Sequence, residues 1–343
     1  MKGVFFLGDK RLELREIPYP EPGPGEVVIQ MKAAGICGSD LRRYRHPLEL
    51  QPGYPDKLVI KGHEPCGVVN EVGPGVTNTK SGDRVIIQHF GGCGFCKYCR
   101  KGYPQYCVQG PWICGYNHHG ADAEFMLVRE NMCIPLSDNM SFEEGAACAC
   151  GTGTAFAALK NAKVSGRDTI AIYGQGPVGL SATLLGSAIN ARVIAVDIVP
   201  DKLDLAEKLG ASEIINANKM NPVKIIKDLT DGEGADIAMD CTGTRKGRTH
   251  AVDSVAIFGK VCFVGEGNDV IIDVSRQLIH KDITIYAGWI FHSTDLEELS
   301  NYIVERSIPL KKLITYRFGL DQAEDAFRAF DSGSEGKSVF VWD

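Results

Sequence analysis

The first 128 residues alternate short apolar runs with turns rich in glycine and proline. Four prolines between residues 18 and 24 precede a strand-like segment, Glu26 to Met31, that is rich in β-branched side chains. Runs of this kind, bounded by turn residues, are typical of β-strands. Several such strands in succession favour an antiparallel barrel or sandwich in this part of the chain.

The pattern changes between Glu143 and Ala162, where small, helix-compatible residues indicate a domain junction. After this junction, apolar runs alternate with segments of helical periodicity. The sequence predicts strands at Thr169–Tyr173, Arg192–Val196, 214–215, 237–240 and 260–264, and helices at about Pro177–Ile189 and Asp201–Leu209. Strands that alternate with helices form a parallel doubly wound sheet, so this part is predicted to be an α/β nucleotide-binding domain.

A glycine motif of the form G-x-G-x-x-G follows the first of these strands and consists of Gly174, Gly176 and Gly179. Glycines allow the tight turn and a close approach to a pyrophosphate, and the helix that follows presents its N-terminus to that group. Asp197 ends the next strand, where a carboxylate can bind both ribose hydroxyls and would repel a 2′-phosphate. NAD is therefore preferred over NADP. The same predicted site includes Pro177, Val178, Thr242, Val264 and Gly265.

Four of the twelve cysteines lie close together within residues 91–107, in the pattern C-x2-C-x2-C-x7-C. They are Cys93, Cys96, Cys99 and Cys107. Four thiolates at such intervals can surround a zinc ion, and a site with four protein ligands leaves no position for substrate. An iron–sulfur cluster is the chemical alternative. Metal binding is expected rather than disulfide bonding because cysteines in a reducing compartment are more often metal ligands.

The charge balance and composition narrow the possible partners and locations. The 343 residues include 37 Lys and Arg against 43 Asp and Glu, with no long basic run, which argues against nucleic acid as a partner. The apolar patch near the start is too short for a signal peptide, and we find no apolar run long enough to span a membrane. We therefore expect a cytoplasmic protein with no membrane partner, and the length favours two domains.

Three residues far apart in the sequence form a second candidate metal site. Cys37 lies in G-I-C-G-S-D, His63 in G-H-E, and Cys150 in C-A-C-G. Two thiolates and an imidazole bind zinc and leave the fourth position open to water or a substrate oxygen, as catalysis requires. With the cysteine lobe and the glycine motif, these segments fall in the order found in zinc-dependent medium-chain alcohol dehydrogenases, which the chain resembles over nearly its full length.

The resemblance implies a domain organisation and a ligand set. It implies a GroES-like, β-rich catalytic domain at residues 1–151 that includes the zinc lobe, a Rossmann-type NAD-binding domain at residues 152–288, and a return to the catalytic domain at residues 289–343. Cys37, His63 and Cys150 are expected to bind a catalytic zinc, with Cys148 as the alternative third ligand. Members of this family are dimers or tetramers, so a homodimer or homotetramer is expected.

The resemblance also assigns roles to neighbouring residues. Asp40 is expected to orient the His63 ring, Glu64 to approach the metal during ligand exchange, and Ser39 to bind the substrate oxygen and relay its proton. Lys202 matches a lysine that helps to bind the adenosine ribose. One position departs from the family, because Arg42 stands where many members have a histidine that ends the proton relay. His46 or the ribose hydroxyls are the candidates to replace it.

These expectations combine into a reversible NAD-linked oxidation of a small alcohol or polyol to its aldehyde or ketone, with two Zn²⁺ per chain. The catalytic zinc would hold the substrate oxygen as an alkoxide while hydride passes to NAD⁺. Cys150 as third ligand favours simple alcohols, whereas the segment Gly38-Ser39-Asp40 and the short chain favour polyols, and both remain open. The alternatives are a zinc-free, NADPH-dependent quinone or enone reductase and a non-enzymatic zinc- and nucleotide-binding redox sensor.

Overall fold

The computed structural model describes residues 1–51, 57–333 and 335–342. The chain divides into two compact units, one formed by Met1–Cys150 with His292–Asp343 and the other by Gly151–Phe291. No helix of the described residues combines the length and the hydrophobicity that crossing a bilayer would need.

The first part of unit 1 is mostly β-structure. Its strands are β1 (Lys2–Gly8), β2 (Arg11–Glu16), β3 (Glu26–Gly35), β4 (Pro65–Val72), β5 (Arg84–Ile87), β6 (Phe90–Gly91), β7 (Trp112–Ile113), β8 (Phe125–Arg129) and β9 (Cys133–Pro135). Its helices are α1 (Gly38–Arg45) and α2 (Phe142–Ala147), with 3-10 turns at Leu48–Leu50, Cys99–Lys101, Pro104–Tyr106 and Glu130–Met132. A π-helical turn, Cys148–Thr152, follows α2.

Unit 2 alternates strands and helices from its start. Its helices are α3 (Gly153–Ala162), α4 (Pro177–Ala188), α5 (Pro200–Lys208), α6 (Pro222–Asp228) and α7 (Arg245–Ser254). Its strands are β10 (Thr169–Tyr173), β11 (Arg192–Asp197), β12 (Glu213–Asn216), β13 (Ala235–Asp240), β14 (Val255–Phe263) and β15 (Thr284–Ala287). A π-helical turn, Val274–Leu278, and a 3-10 turn, Ile279–Lys281, precede β15.

The chain then returns to unit 1 and completes its sheet. The returning elements are α8 (Ser293–Glu305), β16 (Ile314–Phe318), α9 (Ala323–Asp331) and β17 (Lys337–Val341), with 3-10 turns at Leu310–Leu313 and Leu320–Gln322. The sheet has the order β16-β17-β3-β4-β5-β9, with β8 also paired to β3. All of its pairs are antiparallel except β16 with β17. The C-terminal segment is thus an integral part of the β-rich unit.

Aromatic side chains join the separate two-stranded sheet of unit 1, β1 paired with β2, to α1 and α9. The rings of Phe6 and Phe327 pack edge to face with centroids 5.0 Å apart, and Tyr44 lies 5.6 Å from Phe6. Phe6 and Phe327 are fully buried. Burial of each such side chain contributes roughly 1.5–3 kcal/mol, so this cluster holds α1 against β1 and α9.

The sheet of unit 2 is parallel throughout, with the order β12-β11-β10-β13-β14-β15. The strand order reverses between β10 and β13, and sheets of this class bind ligands at the carboxyl ends of the strands beside such a reversal. The predicted doubly wound α/β fold is therefore confirmed. The largest differences from the prediction are that β14 begins at Val255 rather than at Lys260 and that the edge strand β15 was not predicted.

Candidate functional site

A group of four side chains in unit 1 offers ligand atoms that lie within 4.8 Å of one another. The group consists of Cys37, His63, Glu64 and Cys150. Cys37 precedes α1, His63 and Glu64 precede β4, and Cys150 lies in the π-helical turn after α2. The structure therefore brings together the three ligands expected from the sequence. Cys148, the alternative third ligand, is fully buried and is outside this group.

Asp40 holds two of these residues in place. Its Oδ1 lies 2.9 Å from His63 Nδ1, and its Oδ2 accepts a hydrogen bond of 2.8 Å from the backbone N–H of Cys37. A carboxylate bound to one ring nitrogen directs the other nitrogen of a histidine toward a metal. His63 Nε2 lies 3.2 Å from the hydroxyl oxygen of Ser39. Ser39 therefore lies beside the nitrogen that would bind the metal, close to where a substrate oxygen would bind that metal.

His89 fixes the turn that carries Cys150. Its Nδ1 lies 2.8 Å from the carbonyl oxygen of Ala149, and because a carbonyl only accepts, Nδ1 carries the proton. Burial, together with the charge of His63, lowers the pKa of His89 to about 3, so the ring is neutral. The sequence analysis assigned no role to His89. The Gln88-His89 pair that ends the apolar run of β5 was the available signal.

The electrostatics of the group suit metal binding. A hydrogen bond from Cys150 and the proximity of His63 hold the pKa of the Cys37 thiol well below its ordinary value, although burial opposes this. Burial lowers the pKa of His63, but Asp40 and Cys37 more than compensate and hold it well above its ordinary value. A thiolate is the form of cysteine that binds metals. The hydrogen bond to Cys37 and burial raise the pKa of the Cys150 thiol well above its ordinary value, so this partner keeps its proton. A divalent cation would bind the Cys37 thiolate and displace the proton of Cys150.

Lys337 extends the group with a buried positive charge. Its Nζ forms an ion pair with Glu64 Oε2, and both side chains are almost completely buried, at 1% and 0% exposed. Burial raises the pKa of Glu64 to about 7, with Lys337 opposing the increase. Lys337 was not among the residues predicted from the sequence. A lysine that begins the apolar run Lys337–Val341 is the signal that could have identified it.

Neither Arg42, which stands at the position of the relay histidine, nor the candidate replacement His46 lies where it could take a proton directly from Ser39. Arg42 is exposed, and an arginine stays protonated. His46 follows the last residue of α1, whereas Ser39 lies in its first turn. Seven residues of helix separate the two by about 10 Å, too far for a direct hydrogen bond. The ribose hydroxyls of the cofactor are the other candidate for the end of the relay, and that assignment stays a prediction.

The four clustered cysteines form a second compact group in unit 1. The Sγ atoms of Cys93 and Cys99 are 4.0 Å apart, and those of Cys96 and Cys99 are 3.4 Å apart. Zn–S bonds of about 2.3 Å in a tetrahedron place sulfurs about 3.8 Å apart, so the spacing fits zinc. Backbone N–H groups lower the pKa of Cys96 to about 6, which favours the thiolate. All four ligand atoms lie within 4.8 Å of one another.

The glycine motif in unit 2 has the backbone that it requires. Gly174 follows β10 and has a φ of +89°, a conformation that L side chains rarely adopt. A Cβ on Gly179 would lie 2.9 Å from the carbonyl carbon of Gly174, whereas a Cβ on Gly176 would meet open space. Pro177 is the first residue of α4, and Val178 follows it. The turn thus leaves a space above the N-terminus of α4.

Hydrogen bonds connect this turn to the end of the next strand. Asp197 accepts a bond of 2.5 Å from the backbone N–H of Gln175, and the Gln175 side chain donates to the carbonyl of Ile172 at 3.0 Å. The side-chain oxygen of Gln175 accepts a third bond, from Thr183. Gln175 is fully buried and had no assigned role in the sequence analysis. It stabilises the motif from beneath.

The other predicted nucleotide contacts lie at the same edge of the sheet. The Thr242 hydroxyl donates to Asp240, the last residue of β13, at 2.6 Å. The backbone N–H groups of Val264 and Gly265 donate to the carbonyl of Asp240 at 3.0 and 2.9 Å. Lys202 is half-buried on α5, close after Asp197 in the chain. The predicted contacts therefore lie at the carboxyl ends of β10, β11, β13 and β14 or in the first turns of the helices α4 and α5.

Comparisons with known proteins agree with both units. Residues 23–138 match the family model of the alcohol dehydrogenase GroES-like domain, and residues 177–305 match that of zinc-binding dehydrogenase. The chain is 38% identical to an uncharacterized zinc-type alcohol dehydrogenase-like protein of Escherichia coli, over 99% of this chain and 98% of that protein. It is 31% identical to a sorbitol dehydrogenase of Bacillus subtilis, over 100% of this chain and 97% of that protein.

A solved structure shows the same fold over the whole chain. The 2R,3R-butanediol dehydrogenase of Bacillus subtilis superposes with a TM-score of 0.88 at 28% identity, covering 100% of this chain and 99% of that chain. The family models, the full-length relatives and the structural match all indicate the same family. The chain belongs to the zinc-dependent medium-chain dehydrogenase family, a family of alcohol dehydrogenase-type oxidoreductases.

Proposed function

We propose that the protein catalyses a reversible, zinc-dependent and NAD-linked oxidation of a small alcohol or polyol to its aldehyde or ketone. The observation that carries the proposal is the convergence of Cys37, His63 and Cys150, with Ser39 beside Nε2 of His63. Two of the matched proteins are named for sorbitol and for a butanediol, which supports hydroxyl-bearing substrates. Simple alcohols and polyols both remain within the proposal.

We propose two zinc ions per chain, one in each group of ligands. Cys37, His63 and Cys150 would hold the catalytic ion, and the four cysteines of the lobe would hold the structural one. Two thiolates and a neutral imidazole are a donor set that zinc prefers, and three protein ligands leave one position open. Zinc in such a site supplies Lewis acidity, which lowers the pKa of a substrate hydroxyl.

The side chains around the first group would then orient the substrate and move its proton. Asp40 keeps the His63 ring fixed, and Ser39 can exchange its contact with His63 for a hydrogen bond to the substrate oxygen. The serine hydroxyl both donates and accepts, so it can take the proton of the substrate and pass on its own. Glu64 would approach the metal while ligands exchange.

The residues of unit 2 would hold the dinucleotide. Gly174, Gly176 and Gly179 would receive the pyrophosphate at the N-terminus of α4, together with Pro177 and Val178. Asp197 and Lys202 would bind the adenosine ribose, and Thr242, Val264 and Gly265 would bind the nicotinamide half. The carboxylate of Asp197 supports NAD over NADP because it would repel a 2′-phosphate. Bound NAD⁺ accepts the hydride that the substrate carbon releases.

The proposal includes a homodimer or homotetramer. Ile257, Phe258 and Ile285 are exposed in β14 and in the adjoining strand β15, which ends the described sheet of unit 2. Large apolar side chains exposed together at a sheet edge are typical of surfaces that bind another chain. Light scattering coupled to size-exclusion chromatography tests this, and a monomer at micromolar concentration would contradict it.

Metal analysis combined with a substrate screen tests the activity. The purified protein is incubated with NAD⁺ and a panel of polyols, amino alcohols and simple alcohols while NADH absorbance is followed. We expect about two zinc per chain and turnover of at least one alcohol. Cys37→Ser should lose both turnover and one zinc, whereas the matched Cys241→Ser in unit 2 should keep the full zinc content. NADPH-dependent reduction of quinones or enones with about one zinc would favour the reductase, and about one zinc without turnover would favour the sensor.

A further inference from the structure

The ion pair between Lys337 and Glu64 is buried beside the candidate ligands, and the chemistry proposed above does not use its lysine. Lys337 is 1% exposed and Glu64 is 0% exposed. Lysine is almost never fully buried without a partner, because its ammonium group loses its hydration. This buried pair lies next to a group that could hold a metal. Its position suggests that the lysine controls whether the Glu64 carboxylate binds that metal.

Backbone contacts fix the lysine relative to the ligand Cys37. Lys337 Nζ donates a hydrogen bond of 2.9 Å to the carbonyl oxygen of Ile36, the residue before Cys37. The pairing of β17 with β3 sets Val339 opposite Gly35, so Lys337 lies across the end of β3. The ammonium group is therefore held by the same chain segment that presents the first ligand.

Gly35 leaves the space that the pair occupies. A Cβ on Gly35 would lie 2.8 Å from Lys337 Cε and 3.0 Å from the carboxyl carbon of Glu64. The backbone N–H of Gly35 donates to the carbonyl oxygen of Glu64 at 3.0 Å. Any side chain at this position would separate the two charges or displace both, so the close packing depends on glycine.

The carboxylate of Glu64 has one paired oxygen and one unpaired oxygen. Oε2 contacts Lys337, whereas Oε1 is buried and receives no hydrogen bond from the described residues. An oxygen of Glu64 also lies within 4.8 Å of the ligand atoms of Cys37, His63 and Cys150. Glu64 is thus a fourth possible ligand, and binding by all four residues would close the site to substrate.

A count of charges shows what Lys337 adds. Two thiolates neutralise a divalent ion, so a site with Cys37, His63 and Cys150 is neutral without Glu64. The carboxylate adds one negative charge, and Lys337 balances it. If the ammonium group were removed, the metal would be the nearest cation left for a buried carboxylate, and attraction at this depth is strong.

We propose that Lys337 is a positioning residue that restrains Glu64, so that the fourth coordination position of the metal stays open. The inference rests on the proposed function, because it requires a divalent ion held by Cys37, His63 and Cys150. Without Lys337, Glu64 becomes the fourth protein ligand and excludes small molecules from the metal.

Cobalt substitution tests this without relying on turnover. Co²⁺ replaces the metal in the whole protein, and imidazole is titrated while the visible absorption of the cobalt is recorded. Imidazole binds only where a coordination position is open, so the four-cysteine lobe does not respond. The variants are Lys337→Met, Glu64→Gln and the double variant, with Lys312→Met as an exposed control on the same unit.

The expected results separate Lys337 from a general effect on folding. Lys337→Met should weaken imidazole binding by roughly tenfold or more, a typical effect of losing an outer partner of a metal ligand. The double variant should bind imidazole like Glu64→Gln, because the competing carboxylate is gone. Lys337→Gln removes the charge but can still donate to Ile36, so it carries the same expectation if Lys337→Met does not fold.

Two results would overturn the inference. One is imidazole binding of wild-type strength in folded Lys337→Met or Lys337→Gln, and the other is failure of the double variant to recover. The proposed function fails in a different way, because wild-type protein would then show no cobalt absorption that responds to imidazole.

Discussion

Replacement of Asp197 by serine should change the preference between the two nicotinamide cofactors. In the structure, Asp197 Oδ1 accepts from the backbone N–H groups of Ile198 and Val199, at 2.7 and 2.9 Å. Among the described residues, Oδ2 accepts from the backbone N–H of Gln175 alone, at 2.5 Å. A carboxylate oxygen has two lone pairs, so Oδ2 keeps one for a ribose hydroxyl and Oδ1 keeps none.

The expected change in cofactor binding follows from the one lone pair of Oδ2 that is left to accept a hydrogen bond from the ribose. A hydrogen bond to a charged group contributes about 1.5–3 kcal/mol, so loss of the carboxylate should weaken NADH binding roughly 10- to 150-fold. Repulsion between Asp197 and a dianionic 2′-phosphate at about 4 Å costs about 2 kcal/mol even at the dielectric of water, so NADPH binding should improve roughly 30-fold. The ratio of the two dissociation constants should therefore change by roughly 300- to 4,500-fold.

Fluorescence titration of NADH and NADPH measures both constants directly. Serine can accept a backbone N–H in place of the carboxylate, so Asp197→Ser should keep the turn folded. Asp204→Ser removes the same charge from an exposed position on α5 and is the matched control. An unchanged ratio in Asp197→Ser, or an equal change in Asp204→Ser, would refute the assignment of Asp197 to the adenosine ribose.

Three further predictions concern the other sites. His89→Phe removes the hydrogen bond to the carbonyl oxygen of Ala149, so thermal unfolding should show a loss of about 0.5–1.5 kcal/mol, and a chelator should remove the catalytic metal faster. Gly176→Ala should weaken NADH binding without changing the unfolding temperature, because the new methyl meets only open space, whereas Gly179→Ala should lower both since its methyl strikes the Gly174 carbonyl. Cys96→Ser should remove one zinc per chain by metal analysis and should leave the imidazole response of the cobalt protein intact; loss of both would contradict two independent sites.

The α/β unit was the most predictable part of the fold. β10 and β11 are central strands whose apolar runs are buried on both faces, so their positions in the sequence follow from burial alone. The boundaries of β10 agree with the prediction, and α4 ends one residue earlier than predicted, at Ala188. The glycine motif could be located because its backbone geometry demands glycine at fixed spacing.

The edge strand β15 could not be recognised in the same way. Its residues Thr284–Ala287 are exposed or half-buried, so no burial pattern distinguishes them from a loop. The early start of β14 could not be predicted because Ile257 and Phe258 are exposed and interrupt the apolar pattern, and because this part of β14 pairs irregularly with β13. An edge strand of this kind is held by hydrogen bonds to the neighbouring strand. The order of apolar and polar residues along the sequence does not reveal that pairing.

The metal group shows the same limit at the level of the site. Spacing could not connect Cys37, His63 and Cys150, and only the resemblance to a family grouped them. In the structure, strand pairing supplies part of this connection: β3 pairs with β4 so that Ala34 lies opposite Pro65, which brings Cys37 close to His63. In the same sheet, β17 pairs with β3, and Lys337 lies beside Glu64. Side chains alternate between the faces of a sheet, so a slip of one residue would carry Lys337 to the opposite face. Glu64 would then be buried without a cation, and the charge balance of the site therefore favours the native register.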